Sequence, residues 1–127
     1  MPYLTTGLLD NPSVEGFMPS LTLSVNISNN DNSPVVIQVE GFFQNGTTKV
    51  KYIEEFFTLT AGTVALKNYL VPFKTFEFIF FVSSQAVELY VWSKDVTGNL
   101  TATPLLEQDT IEKYTTQPGI KDIEIPL

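Results

Sequence analysis

Apolar residues recur at every second position along most of this chain and almost nowhere at helical spacing. A period of two sends alternate side chains to opposite faces of a strand. The densest such stretch is Lys74–Asp95, KTFEFIFFVSSQAVELYVWSKD. Phe76, Phe78, Phe80 and Val82 share one face of it, and Glu77, Ile79 and Phe81 the other. Past Ser83-Ser84-Gln85, Val87, Leu89 and Val91 share a face opposite Glu88, Tyr90 and Trp92. Two runs so rich in aromatic and β-branched residues, divided by a short polar break, predict a central β-hairpin.

The flanking segments read the same way. Leu21, Leu23, Val25 and Ile27 alternate with polar residues, and SNNDNSP at 28–34 is a turn cluster. Val35, Ile37 and Val39 alternate until Gly41-Phe42-Phe43, where the slip predicts a bulge. Asn45-Gly46 signals a hairpin turn. Lys49–Thr60 is a longer strand with a second bulge expected near Glu54-Glu55. Ala61-Gly62 turns the chain, and Thr63–Val71 is a strand that Pro72 ends. Asp95–Asn99 is a turn. Leu100–Leu106 is a strand in which Pro104, lacking a ladder donor, marks an edge or an end. Residues 107–114 read as a short helical turn or a loop, and 115–119 as a linker. Residues 119–127 close the chain as a terminal edge strand, with Ile123, Ile125 and Leu127 alternating. Strands spaced roughly 8–12 residues apart, with no amphipathic helix and no repeat, predict an all-β fold. The expected architecture is an antiparallel β-sandwich of jelly-roll type over residues 20–127.

Residues 1–19 have a different character. Pro2, Pro12, Pro19, Gly7 and Gly16 interrupt regular structure, yet Tyr3, Leu4, Leu8, Leu9, Val14 and Phe17 are apolar. Two readings fit. One is an unstructured leader. The other is an extended N-terminal connector arm that docks on a neighbouring subunit through those six residues. Sheet edges expose unpaired donors and acceptors, and strand addition between subunits would satisfy them. A head-to-tail contact of that kind does not close on itself and builds a fibre.

Composition removes most catalytic chemistry. The chain has no His, no Cys and no Arg, and its seven cations are all Lys. There is no imidazole base, no thiolate and no guanidinium clamp. No catalytic constellation, cofactor or metal site is expected. Glu54 and Glu55 are neighbours in a strand and face opposite ways, so they are no glycosidase dyad. Asn29-Asn30-Asp31-Asn32 lacks the spaced acids of a calcium loop and reads as a turn. The sequons at Asn26, Asn45 and Asn99 also read as turn chemistry. A net charge of −7 disfavours nucleic acid and anionic membranes as partners. The N-terminus does not read as a signal peptide, and no apolar run is long enough for membrane insertion. Tyr90 and Trp92, with Tyr52 or Tyr69 nearby, have three candidate uses. They can form a platform for a sugar ring, enter a subunit interface, or pack within the chain.

The segment AVELYVWSKDVTGNL (86–100), with LTLSVNISNNDNSPVVIQVEGFF before it and the acidic, Phe-rich middle, resembles the endospore appendage (Ena-type) pilins of spore-forming bacteria. The likeness lies in overall layout and covers about residues 1–114. It implies a jelly-roll subunit of a spore-surface or other extracellular fibre, a homopolymer with possible contacts to other spore or cell-surface proteins. Residues 1–19 would dock into the adjacent subunit. Cysteine cross-links known in that family have no counterpart here, which implies the disulfide-free type. The terminal strand 119–127 has no match in the family. The alternative is a non-catalytic binding module, for carbohydrate or in a surface or phage fibre, that uses Tyr90 and Trp92.

Overall fold

Every regular element among the described residues is a strand. The computed structural model describes residues 2–11 and 21–109. Within them lie β1 (Pro2–Thr5), β2 (Leu9–Asp10), β3 (Thr22–Asn29), β4 (Val35–Asn45), β5 (Thr48–Leu59), β6 (Val64–Leu70), β7 (Thr75–Val82), β8 (Val87–Lys94), β9 (Leu100–Thr103) and β10 (Leu106–Asp109). One sheet has the order β10-β1-β7-β4-β5, and β2 prolongs the line of β1 along β7. The other has the order β6-β3-β8-β9. All pairings are antiparallel.

The two sheets pack face to face, and the period-two pattern supplies the filling. Phe76, Phe78 and Phe80 of β7 and Val35, Ile37 and Val39 of β4 meet Leu23, Val25 and Ile27 of β3 and Val91 of β8. All are buried, and Phe78 sits at the centre of an aromatic chain that includes Phe76, Phe80, Tyr52 and Tyr69.

The central hairpin does not form. β7 pairs with β1, β2 and β4, whereas β8 lies in the opposite sheet between β3 and β9. Alternation fixes which side chains face the core but not which strand is the neighbour. Both runs present a strongly apolar face, and these faces meet across the core. Residues 83–86 therefore bridge two sheets, which stack about 10 Å apart. The bridge is tied down on both sides. Ser83 donates its amide to the Val36 carbonyl at 3.1 Å, and its hydroxyl accepts the Val36 amide at 2.8 Å. Ser84 Oγ donates to Asp31 at 2.6 Å and holds that carboxyl below its ordinary range.

The expected irregularities of β4 and β5 are one bulge. Gly41 pairs with Ile53 and Phe42 with Lys51, so Tyr52 is the extra residue, while Glu54 and Glu55 stay in regular register. Glu54 then lies directly opposite Glu40, a repulsive pair. Lys51 lies 3.0 Å from Glu40 and 3.6 Å from Glu54 and offsets it. Glu54 and Glu55 do face opposite ways, Glu55 accepting from the Tyr69 hydroxyl at 2.5 Å. A methyl group at Gly41 would stand 2.9 Å from Ile53 Cβ and from two ring carbons of Phe78. Gly41→Ala must push a packed ring, so it should lower the urea-unfolding free energy by about 1–3 kcal/mol.

The bulge aims Tyr52 inward, where its hydroxyl donates to the Leu70 carbonyl at 2.6 Å and joins β5 to β6. Burial pushes this hydroxyl up to about 12. Burial, and then the Glu55 carboxylate, push Tyr69 up as well. In both cases the fold favours the neutral form. The Tyr52 contribution is complete below the ordinary tyrosine value near 10 and is lost as pH rises through about 12, while Tyr69 is shifted in the same upward direction. The melting temperature should therefore fall between pH 10 and 12, less steeply in Tyr52→Phe.

Other connections correct the sequence reading in detail. Pro104 ends β9, and the chain then crosses to the other sheet. Residues 107–109 are thus strand rather than a helical turn. Asn45 closes the β4–β5 hairpin and Asn99 its own turn, where Asp95 accepts the amides of Thr97 and Asn99, but Asn26 lies inside β3. The predicted terminal strand 119–127 lies outside the described residues.

Candidate assembly interface

Residues 2–10 hold two short strands, β1 and β2, on either side of a glycine kink. Tyr3, Leu4 and Thr5 pair with Phe81, Phe80 and Ile79, and Leu9 and Asp10 with Phe76 and Thr75. Gly7 supplies the break between β1 and β2 with a φ of +69°. Thr6 fills the gap. Its amide donates to the Phe78 carbonyl and its hydroxyl accepts the Phe78 amide, both at 3.0 Å. Of the predicted docking residues, Leu4 and Leu9 pack against the core, and the Tyr3 ring lies tilted against Phe81, with centroids 5.3 Å apart. Leu8 is exposed. Val14 and Phe17 lie outside the described residues.

The strongest anchors of this segment are polar and were not among the residues singled out. Thr5 Oγ1 donates to Glu77 Oε2 at 2.5 Å, and Lys49 Nζ lies 2.7 Å from Glu77 Oε1. Glu77 is only 8% exposed, and this pairing accounts for it. Asn11, 1% exposed, donates its backbone amide to the Lys74 carbonyl at 2.6 Å. Its side-chain amide reaches the carbonyls of Val71 and Phe73. One signal was available. A lone glutamate within TFEFIFFV has to find a polar partner on a strand beside it.

The chain matches no protein-family model, no curated protein and no solved structure.

Tyr90 and Trp92 stand on the outer face of the second sheet, with ring centroids 6.1 Å apart and planes 27° from parallel. Tyr90 is 53% exposed, so this face is not closed within the chain. Tyr52 and Tyr69 point into the core instead and belong to no platform with them. Cross-strand register sets Tyr90 in line with Asn26 and Leu66, and Trp92 with Ser24, Asn68 and Ala102. Leu66, Leu70 and Val64 are exposed on β6. The outer face thus carries aliphatic side chains along one edge, a polar trough of Ser24 and Asn26, and two aromatics beyond it.

The sheet edges differ in how they are protected. On one side β5 and β6 are edge strands bearing Lys49, Lys51, Glu54, Glu55 and Lys67, charges that discourage pairing. They are also tied together, Lys67 lying 3.7 Å from Glu55 and 4.6 Å above the Phe57 ring. On the other side β9, Leu-Thr-Ala-Thr, is an edge strand with no charge and no proline within it. Among the described residues no acidic side chains group as a metal site, and no helix is long and apolar enough to cross a membrane.

Proposed function

We propose that the protein is a self-assembling structural subunit of an extracellular fibre, a homopolymer of jelly-roll domains without catalysis. One observation carries this reading. Residues 2–11 complete a sheet by strand pairing along β7, and they join the body of the sandwich only through residues 12–20. The same segment from a neighbouring copy would make the same main-chain bonds, the same Glu77–Thr5 contact and the same burial of Leu4 and Leu9. Exchange of this kind runs head to tail and leaves a further acceptor at each step, so it extends into a filament. The resemblance to spore appendage pilins supports it, and so does the uncharged β9 edge.

Negative-stain electron microscopy of the purified protein at neutral pH tests the proposal. Filaments of uniform width are expected from the intact chain. Dispersed single particles from the intact chain would overturn it.

The exposed Tyr90 and the stacked Trp92 favour a second reading, a binding module for glycans. Trp92 is the one tryptophan in the chain. Its fluorescence should shift with a bound glycan, and an unchanged spectrum across a glycan panel removes this reading.

A further inference from the structure

Among the described residues, half of β8 has no strand beside it on one side. β3 pairs with all of it, from Val87 to Lys94, but β9 reaches only Val91–Lys94. Beyond Thr103, Pro104 diverts the chain to the other sheet, so the line that β9 would have continued is vacant beside Val87–Tyr90 among the described residues. An unpaired edge of this kind is a template for a strand. It also stands over open space. A cavity of about 570 Å³ lies between the sheets at this end, lined by Leu4, Val82, Ser84, Gln85, Val87 and Glu107. A second, of about 300 Å³, borders the same edge at Leu89, Tyr90, Pro104 and Leu105. Val87 and Leu89 face inward there and are only half-buried.

The chain itself carries a segment of the right pattern that starts in the right place. Asp109 pairs with Pro2, beside Tyr3, whose partner Phe81 precedes Val82 of the cavity wall. The last described residue thus lies at the same end of the sandwich as the vacant edge. Eighteen residues follow, ending in Ile-Lys-Asp-Ile-Glu-Ile-Pro-Leu. Residues 110–119 span at most about 33–36 Å, and so short a tether gives the chain's own segment a high effective concentration. Ile123 and Ile125 have the two-residue spacing of Val87 and Leu89.

We propose that residues 120–127 add to the vacant edge of β8 in their own chain, antiparallel to it and in line with β9, with Ile123 and Ile125 directed into the space between the sheets. This segment fills the inter-sheet opening and removes an unprotected edge.

Hydrogen exchange on the full-length protein, isolated as a monomer, tests this. The amides of residues 87–90 that point away from β3 should be protected. In Ile123→Asp/Ile125→Asp they should exchange at least tenfold faster, while amides bonded between β3 and β8 stay slow and show that the body is folded. A second measurement uses the absence of native cysteine. Leu89→Cys combined in turn with Ile123→Cys, Ile125→Cys or Leu127→Cys should give, in one register, a disulfide within a single chain. Disulfides only between chains would overturn the proposal by making a second copy the occupant. Unprotected amides at 87–90 in the native chain, or no disulfide in any pairing, would overturn it too.

Discussion

A chain lacking residues 1–19 is expected not to fold cooperatively on its own at 25 °C, and to recover its structure when a peptide of residues 1–19 is added. The deletion turns β7, the most apolar strand among the described residues, into an open edge. It leaves the Phe78 amide and carbonyl and the Lys74 carbonyl without the bonds they make to Thr6 and Asn11. It also strips Glu77 of Thr5. Each buried polar group left unpaired costs about 1–3 kcal/mol. The loss of the partly buried Leu4 and Leu9 adds roughly 1 kcal/mol each, below the value for a fully buried leucine. Together these rival the entire stability of an ordinary domain, about 5–15 kcal/mol. Circular dichroism melts of the truncated chain, alone and with the peptide, measure it. A truncated chain with an unchanged melt would show that the segment contributes nothing to the sheet. A chain that recovers only with the peptide would show that the strand can be supplied from outside, which exchange between subunits requires.

Asn29→Ala should lower the unfolding free energy by about 3–4 kcal/mol, an unusually large effect for a polar side chain in a turn. Asn29 is fully buried. Its amide nitrogen donates to the carbonyls of Ser33, Leu59 and Thr60, at 3.0, 3.0 and 3.1 Å. Its side-chain oxygen accepts the Asp31 amide at 2.9 Å. Its own backbone amide and carbonyl bond Thr63 and Gly62. One residue therefore closes the β3–β4 and β5–β6 crossings together, and alanine would take a bond from three carbonyls and one amide, of which the Thr60 carbonyl keeps those it accepts from Thr63. Asn32→Ala, at an exposed position of the same loop, is the control and should change stability by less than about 0.5 kcal/mol. Urea titrations of both variants give the comparison.

The alternating pattern carried the strands and their faces far better than their partners. Phe76, Phe78, Phe80, Val82, Leu23, Val25, Ile27 and Val91 all point inward as their spacing requires. Partnership was not legible, because Ser83–Ala86 is a length that suits both a hairpin and an arch between sheets. Pro104 could be read correctly, since a missing donor has one meaning in a ladder. Pro2 and Gly7 misled, because Gly7 only kinks the line between β1 and β2 and Thr6 supplies the missing pairing with its hydroxyl. For the interface, Leu4 and Leu9 were visible as apolar positions. Thr5, Asn11 and Asn29 were not, because a buried hydrogen-bonding residue resembles any loop residue until its carbonyl partners are placed around it.

The pairing of β1 with both β7 and β10 sets an order of events during synthesis. Tyr3 and its partner Phe81 are 78 residues apart (81 − 3), and Pro2 waits longer still for Asp109. At ribosomal rates of about 5–20 residues per second, the first strand emerges roughly 4–16 s before its own acceptor exists. Few of the sandwich's contacts can form sooner, because among the described residues only the β4–β5 and β8–β9 hairpins join consecutive strands by ladder pairing. On a polysome, the nearest completed β7 edge during that interval belongs to the chain made just before. Under the proposed exchange, the earliest contact open to a nascent N-terminus is thus its elder sibling, and the spacing of ribosomes would set how often that contact is made.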